Sequence, residues 1–533
     1  MKRRIVRGSA TAAVLAGILA GVLSLGAVNP PMPPPVGVNE ITADDLRAHL
    51  SFLASDELGG RYTLSPGANI AARYLASQLQ EFGFRGAAPD GSFLQKFDVL
   101  VAKMNAEKSS LEITAGGTTK KYEFGDFYSR DPQSGHAQGE IVFAGYGISA
   151  PRLGHDDYQG LDVKGKIVLL APGTPRSVNA SQVKREEEDE AAARAHGALG
   201  VLVIPEARYR PLATPGGRER LRRWESVSVT ALVRKERLPR LMIGPAAAEQ
   251  LLGALSLTLD KLYELAKEGA ALKPQALPAS ARFTMTIDQR TETTQNVVGV
   301  LEGADPKLKH EYVGFSAHYD HLKTGANGEI YHGADDDGSG TSAVLEIAES
   351  MSLRRPKRSI FVIFHVGEEL GLLGAKYNAD VKPAVPLEQL VVDLNIDMIG
   401  RSRPANDTNK DNEVLSGPNT VYVVGSDRIS RQLHQLSEET NAQSARLNFD
   451  YTYNDPNHPE RIYFRSDHWE YAKHGVPIIF YFTGVHADYH QPTDTIEKLD
   501  FEKMTKVARL VYETGWRIAN LPKRLETAAA SGK

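Results

Sequence analysis

The run EYVGFSAHYD, Glu311–Asp320, is an almost unbroken apolar stretch that ends in two reactive groups, the imidazole of His318 and the carboxylate of Asp320. A strand apolar on consecutive residues is buried on both faces, which is the pattern of a parallel sheet covered by helices. Four further runs share the design: RSIFVIFHVGEE (Arg358–Glu369), LVVDLNIDMIG (Leu390–Gly400), TVYVVG (Thr420–Gly425) and VPIIFYFTG (Val476–Gly484). Helical patterns over 341–351, 372–379, 430–439 and 501–520 lie between and after them. The alternation predicts an α/β fold whose mixed, mostly parallel sheet is covered by helices on both faces.

Upstream, TADDLRAHLSFLASDEL places Thr42 as an N-cap before apolar positions Leu46, Leu50 and Leu53, and SPGANIAARYLASQLQEFGF sets Pro66 in a first turn and Gly83 at a stop. Residues 93–127 alternate as strands do. At RDPQSGHAQG (Arg130–Gly139) the composition changes, and EIVFAGYGI, LDVKGKIVLL, the acidic and Ala-rich REEEDEAAARAHGA and LGVLVI then read as strand, strand, helix, strand. This organisation predicts an insert over 131–280 that divides one domain into 41–130 and 281–520, followed by a frayed tail over 521–533.

Across 533 residues, 41% hydrophobic and 24% charged, the composition is that of a globular chain of more than one domain. At its start, Lys2, Arg3, Arg4 and Arg7 precede an uncharged apolar run from Ala10 to Ala27, the pattern of a signal peptide over 1–27. Export, to periplasm or exterior, is the expectation, with membrane attachment only if the leader is left uncleaved. A proline-rich spacer over 28–40 follows, expected to be extended. With 62 basic against 66 acidic residues there is no electrostatic footprint for nucleic acid. The chain has no cysteine, which excludes disulfides, thiolate metal sites and cysteine nucleophiles, so any metal is held by His, Asp and Glu.

In open α/β sheets ligands bind beyond the carboxyl ends of the strands. His318, Asp320, Glu368, Glu369 and Asp397 terminate apolar runs, and IIFYFTGVHADYH leads through a loop to His490. The loop HGADDDGSG (His332–Gly340) follows the first of these strands and sets three carboxylates side by side, a repulsive arrangement unless a cation sits among them. Imidazole and carboxylate donors suit a borderline divalent metal, and two His, two Asp and a Glu suffice for two zinc ions sharing a carboxylate. Taken alone, DDDGSG also fits a helix N-cap or a weak calcium loop.

HYDH, GADDDGSGT, EELGLLG, NIDMIG and DYHQPTDT, in that order, resemble the zinc-dependent aminopeptidases of peptidase family M28 and the related glutamate carboxypeptidases, and GYGI with DVKGKIVLL resembles a protease-associated (PA) domain. The resemblance covers about 41–130 and 283–520. It implies that His318 and Asp397 hold one zinc, Glu369 and His490 the other, and that Asp336 bridges them. It further implies Glu368 as general base, Tyr489 as a support for the oxyanion, and Asp320 as a residue orienting His318. Asp467 matches an acidic position of the family without a role that the sequence supplies, and His321, His332, His468, His474 and His486 are read as non-ligands.

The expectation is therefore an exported enzyme that takes N-terminal residues from peptides with a free amino end, its oligomeric state left open. A carboxypeptidase or dipeptidase for acidic substrates would call on an arginine cluster, for which Arg401, Arg403, Arg461 and Arg465 are available. A glutaminyl cyclase would need one zinc, and a receptor-like binding protein none.

Overall fold

The computed structural model describes residues 35–527. The leader read at 1–27, most of the spacer and the end of the tail lie outside the described residues. Within them, no helix is long and apolar enough to cross a membrane.

Two helices open the chain, α1 (Ala43–Leu53) and α2 (Pro66–Glu81). Each begins as its sequence dictates: the Thr42 hydroxyl accepts from the Asp45 N–H, and that of Ser65 from the Ala68 N–H, leaving Pro66 in a first turn where its missing N–H costs nothing. The packed part begins ahead of α1, because Val38 is buried and the Arg509 guanidinium donates to the Ile41 carbonyl.

The main sheet is built from β1 (Leu94–Met104), β2 (Ser226–Val229), β3 (Ile287–Leu301), β4 (Tyr312–His318), β5 (Ser359–His365), β6 (Leu390–Ile396), β7 (Thr420–Val424), β8 (Asn448–Asp450) and β9 (Ile478–Phe482). Their order across the sheet is β2-β1-β3-β5-β4-β6-β9-β7-β8, with the short Arg85–Gly86 strand also on β3. The centre β5-β4-β6-β9 is parallel, and the pairs β2-β1, β1-β3, β3-β5 and β9-β7 are antiparallel, so the sheet is mixed.

Both faces are covered, which is why the central strands read as continuous apolar runs. Ile360, Val362 and Phe364 of β5 pack in one core with α3 (Gly340–Leu353) and α6 (Phe501–Asn520), while Phe361 and Ile363 pack in a second core on the opposite face with Tyr471 of α5 (His468–Ala472). Ile479 and Tyr481 of β9 divide from Ile478 and Phe480 in the same way. Burying such a side chain contributes about 1.5–3 kcal/mol. Between β8 and α5 the remaining connection is irregular, and α4 (Arg431–Gln443) precedes β8.

A second, eight-stranded sheet takes its strands from 110–143, 167–203 and 240–285, with its own core around Ile113, Leu169, Leu241 and Phe283. The segment between Val203 and Arg240 leaves this sheet: β2 pairs with Val99–Ala102 of β1, and Glu225 beside it grips Arg290 of β3 through two contacts of 2.6 and 3.0 Å.

Strand order decides where a site can form. From β4 the chain moves to β5 on one side and then to β6 on the other, so the order reverses around β4 and opens a crevice at the carboxyl ends. His318 is the last residue of β4.

Candidate metal centre

The three adjacent aspartates separate by what their oxygens already hold. Asp337 accepts from the backbone N–H groups of His318, Gly340 and Met398 at 3.2, 2.8 and 3.2 Å, which ties β4, α3 and the end of β6 to one carboxylate. Asp335 accepts from the Gly400 N–H at 2.6 Å and faces His486 Nε2 at 3.2 Å. The N–H groups of Asp335 and Asp336 both donate to Asp494, at 3.0 and 3.3 Å. Only the Asp336 side chain is left to face the cleft, and its two oxygens look in different directions. Oδ1 lies 3.3 Å from His318 Nε2, and Oδ2 lies 3.1 Å from His490 Nε2.

Around those two oxygens the other strand-end groups gather. His318 Nε2 is 3.6 Å from Asp397 Oδ1 and 4.0 Å from Glu368 Oε2, and His490 Nε2 is 3.0 Å from Glu369 Oε2. All five residues of the expected metal set are therefore brought together, with Glu368 beside them. His318 Nε2, Asp397 Oδ1, Glu369 Oε1 and His490 Nε2 are buried polar atoms with no hydrogen-bond partner. Such atoms are costly to bury unless something satisfies them. Converging imidazole and carboxylate donors fit zinc, and opposite oxygens of one carboxylate in two separate groups fit a bridge. Asp337 also comes within reach of His318 and Asp397, but its oxygens are taken by the three N–H groups, so Asp336 is the better donor to that group.

The residues behind the donors are held in turn. The Asp320 carbonyl meets His318 Nδ1 at 3.1 Å, while its carboxylate accepts from Thr63 Oγ1 at 2.7 Å and from the Glu368 N–H at 3.2 Å. Asp320 thus touches both the imidazole and the backbone of Glu368. Ser466 Oγ donates to Asp397 Oδ2 at 2.7 Å, leaving Oδ1 for the centre. Asp467 lies behind this group, where it faces His365 Nδ1 at 3.2 Å with both residues fully buried.

A cleft opens over the donors. Asp336, Glu368 and Asp397 line it together with Met398, Ile462, Phe480, Phe482 and Val485, and with Arg465, Ser466 and Tyr489. Burial, with Glu369, Asp397 and Asp467 nearby, pushes the Glu368 carboxyl well above the usual carboxylate range, and His318 works against this. Burial and the carboxylates of Asp336, Glu369 and Glu368 also raise Tyr489, so its hydroxyl stays a donor at neutral pH.

Of the four arginines considered for a carboxylate pocket, only Arg465 lines the cleft, where it donates to the Tyr489 hydroxyl at 3.5 Å. Arg401 pairs with Asp488 at 2.7 Å, Arg403 donates to the Glu413 and Asp407 carbonyls, and Arg461 lies over the Phe464 ring. Among the other histidines, His332 and His474 pair with Asp56 and Asp380, and His468 bonds the Tyr463 carbonyl. His321 does not stay apart: its Nδ1 is 2.7 Å from Glu369 Oε1. Sequence reasoning set it aside, although its place in HYDH, three residues after His318, was the available signal.

An α/β crevice whose floor gathers imidazoles and carboxylates is an arrangement that could hold metal ions. Residues 296–515 match the model of peptidase family M28. A probable leucine aminopeptidase 2 of Aspergillus oryzae is 26% identical over 293 residues, covering 49% of this chain and 53% of that protein. A probable zinc metalloprotease of Pyrenophora teres f. teres is 28% identical over 247 residues, covering 42% and 49%. The chain thus matches about half the length of these curated relatives. Among solved structures, the aminopeptidase from Aneurinibacillus sp. strain AM-1 superposes with a TM-score of 0.56 at 18% identity, covering 93% of this chain and 98% of that one, which is a likeness of fold.

Proposed function

We propose that the protein is an exported zinc aminopeptidase that hydrolyses the first peptide bond of substrates with a free amino end. The observation that carries the reading is the convergence of unsatisfied buried imidazole nitrogens and carboxylate oxygens on the cleft floor, with Glu368 next to them but outside the bridging group. The names of the relatives, leucine aminopeptidase and zinc metalloprotease, agree with it.

In this reading His318 and Asp397 would hold one zinc and Glu369 and His490 a second, with Asp336 shared between the two positions. Zinc so held supplies Lewis acidity, which activates water near neutral pH and polarises a carbonyl. Glu368 receives the proton of the attacking water and passes it to the leaving amine, a role its place 4.0 Å from His318 Nε2 allows. The Tyr489 hydroxyl donates to the oxygen on which charge develops. Asp320 acts by position, holding His318 and the Glu368 backbone together.

Apolar walls from Met398, Ile462, Phe480, Phe482 and Val485 favour an apolar first side chain. The insert over 131–280, with GYGI and DVKGKIVLL, is PA-like and borders the catalytic part, and the sheet it builds also takes in strands between Ser110 and Tyr128, ahead of the expected boundary.

The deciding experiment offers one leucine-initiated peptide with a free or an acetylated amino end to the zinc-loaded protein and to a chelated control. Chelator-sensitive release of leucine from the free form alone is the expected result. Equal cleavage of both forms would remove the amino-end reading and direct attention to carboxypeptidase substrates and Arg465.

A further inference from the structure

We propose that His321 is a further ligand of the second metal position, binding through Nδ1. The inference rests on the zinc reading above and departs from the five-residue set on which that reading was built. His321 is fully buried, and neither nitrogen of its ring has a hydrogen-bond partner. Nδ1 lies 2.7 Å from Glu369 Oε1 and 3.7 Å from Asp336 Oδ2.

A separation of 2.7 Å without a hydrogen bond means that the in-plane axis of Nδ1 is not directed at the oxygen. His490 Nε2 behaves alike, 3.0 Å from Glu369 Oε2 and also without a hydrogen bond. Two donors each about 2.0–2.2 Å from one ion lie on the order of 3 Å from each other. A lone pair at that spacing does not mark an ion, since His486 Nε2 and Asp335 Oδ2 lie 3.2 Å apart in the same way; two imidazole nitrogens and two carboxylates together leave a place for one between them. His321, Asp336 and Glu369 form such a group, and the ring of His490 stands edge-on to that of His321 with centroids 5.7 Å apart.

The surroundings prevent the ring from turning away. Gly333 adopts φ +57°, and a Cβ there would fall 2.5 Å from Cγ and 2.7 Å from Cδ2 of His321, so only glycine lets the backbone lie against the imidazole. That backbone is held by Arg61, whose buried guanidinium donates to the carbonyls of His332, Gly333 and Tyr319 at 2.6, 2.9 and 2.8 Å. The His321 N–H in turn donates to the Arg61 carbonyl at 3.4 Å. The segment GGRYT, which had no role in the sequence reading, thus clamps both the aspartate loop and His321.

The consequence is an unequal pair of positions. The second has four protein donors, His490, His321, Glu369 and Asp336, while the first has three, His318, Asp397 and Asp336. A four-donor set is closed and retains its ion, and a three-donor set keeps a place for water or substrate.

The test compares the full-length parent with His321→Gln and Glu369→Gln, each loaded with zinc, dialysed against a chelator and sampled for zinc per chain by mass spectrometry. Cobalt-substituted samples are read by visible absorption, which follows the number and type of ligands. The parent is expected to lose one ion quickly and the second slowly. His321→Gln should lose the second ion at least about tenfold faster and change the cobalt spectrum, as Glu369→Gln should. Should His321→Gln misfold by circular dichroism, His321→Asn takes its place. Retention of the second ion at the parent rate with an unchanged cobalt spectrum would overturn the proposal and leave His321 as a support for Glu369. A parent that retains no zinc at all would overturn the metal reading itself, whatever the variants do.

Discussion

Chemically identical side chains in this cleft differ by what is already bonded to them. Asp337 is spent on three backbone N–H groups, Asp335 takes the Gly400 N–H on one oxygen and faces His486 with the other, and Asp336 between them faces the cleft. Spacing alone selects the motif but does not divide the three, because the donors to Asp337 come from β4, α3 and the turn after β6. His321 carried a signal in HYDH, but its partner Glu369 is supplied by a different strand end, so only the fold brings the two together. Glu368 was pointed to by the family resemblance of EELGLLG; it lies three residues beyond the end of β5 at His365, and the fold brings its carboxylate to 4.0 Å from His318 Nε2. Glu368→Gln should lower turnover by about 10²–10⁴-fold while zinc content stays at the parent level, and a variant with parent turnover would put the base elsewhere. Asp393 offers a test of stability. Fully buried in β6, its carboxyl is pushed up to about 6 by burial, opposed by His365 and by the Ser316 hydroxyl. The folded value lies above the unfolded one, so its contribution is full below pH ~4 and is lost as pH rises through ~6, a change of about 3 kcal/mol. Urea unfolding of Asp393→Asn should therefore gain on the parent between pH ~4 and ~6.5. A difference that does not vary with pH would show that the carboxyl is already ionised throughout.

Helix ends were the most readable features, because caps and stops act through neighbouring residues. Thr42 and Ser65 cap α1 and α2, α6 spans Phe501–Asn520 as the pattern over 501–520 predicts, and Gly83 follows α2 with φ +81°. Strand direction was not readable: an apolar run has the same pattern in a parallel or an antiparallel pair, and the antiparallel β3-β5 and β9-β7 pairs flank the parallel centre. The helical pattern over 372–379 forms as a single turn, Leu373–Lys376, followed by a wider turn to Val381 that carries the buried Asn378, whose amide donates to Gln95. Contact between helix and sheet rests at one point on the lack of a side chain. A Cβ on Gly515 of α6 would fall 2.2 Å from Cζ of the buried Phe315 on β4. Gly515→Ala should therefore destabilise by about 1–3 kcal/mol, although alanine is favoured over glycine in an exposed helix by about 1 kcal/mol. Chemical denaturation would read the sign, and a stabilised variant would mean that α6 can move off the sheet at little cost.

The two sheets are joined in more than one place. The strand over 275–285 leads through Thr286 into β3, β1 leads on to the strand at 110–115, and β2 returns from the second sheet to pair with β1 beside the Glu225–Arg290 contact. Joined in this way, the two cores should unfold in a single calorimetric transition, and two resolved transitions would count against tight coupling. Chelation should lower that transition temperature, since an ion held only by the folded state at 1,000 times its dissociation constant contributes about 4 kcal/mol; a transition unmoved by chelator would argue against a tightly held ion. The return of β2 was not readable, because SVSV is short, half-buried and set among arginines, and nothing local says which sheet it joins. Its pairing has a bearing on self-association. β2 is four residues long and β8, at the far margin, three, so the sheet ends on both sides in strands too short to template another chain. Cutting out the second sheet together with β2 would uncover the N–H and C=O groups of Val99–Ala102, and the shortened protein would offer an adhesive margin to its own copies.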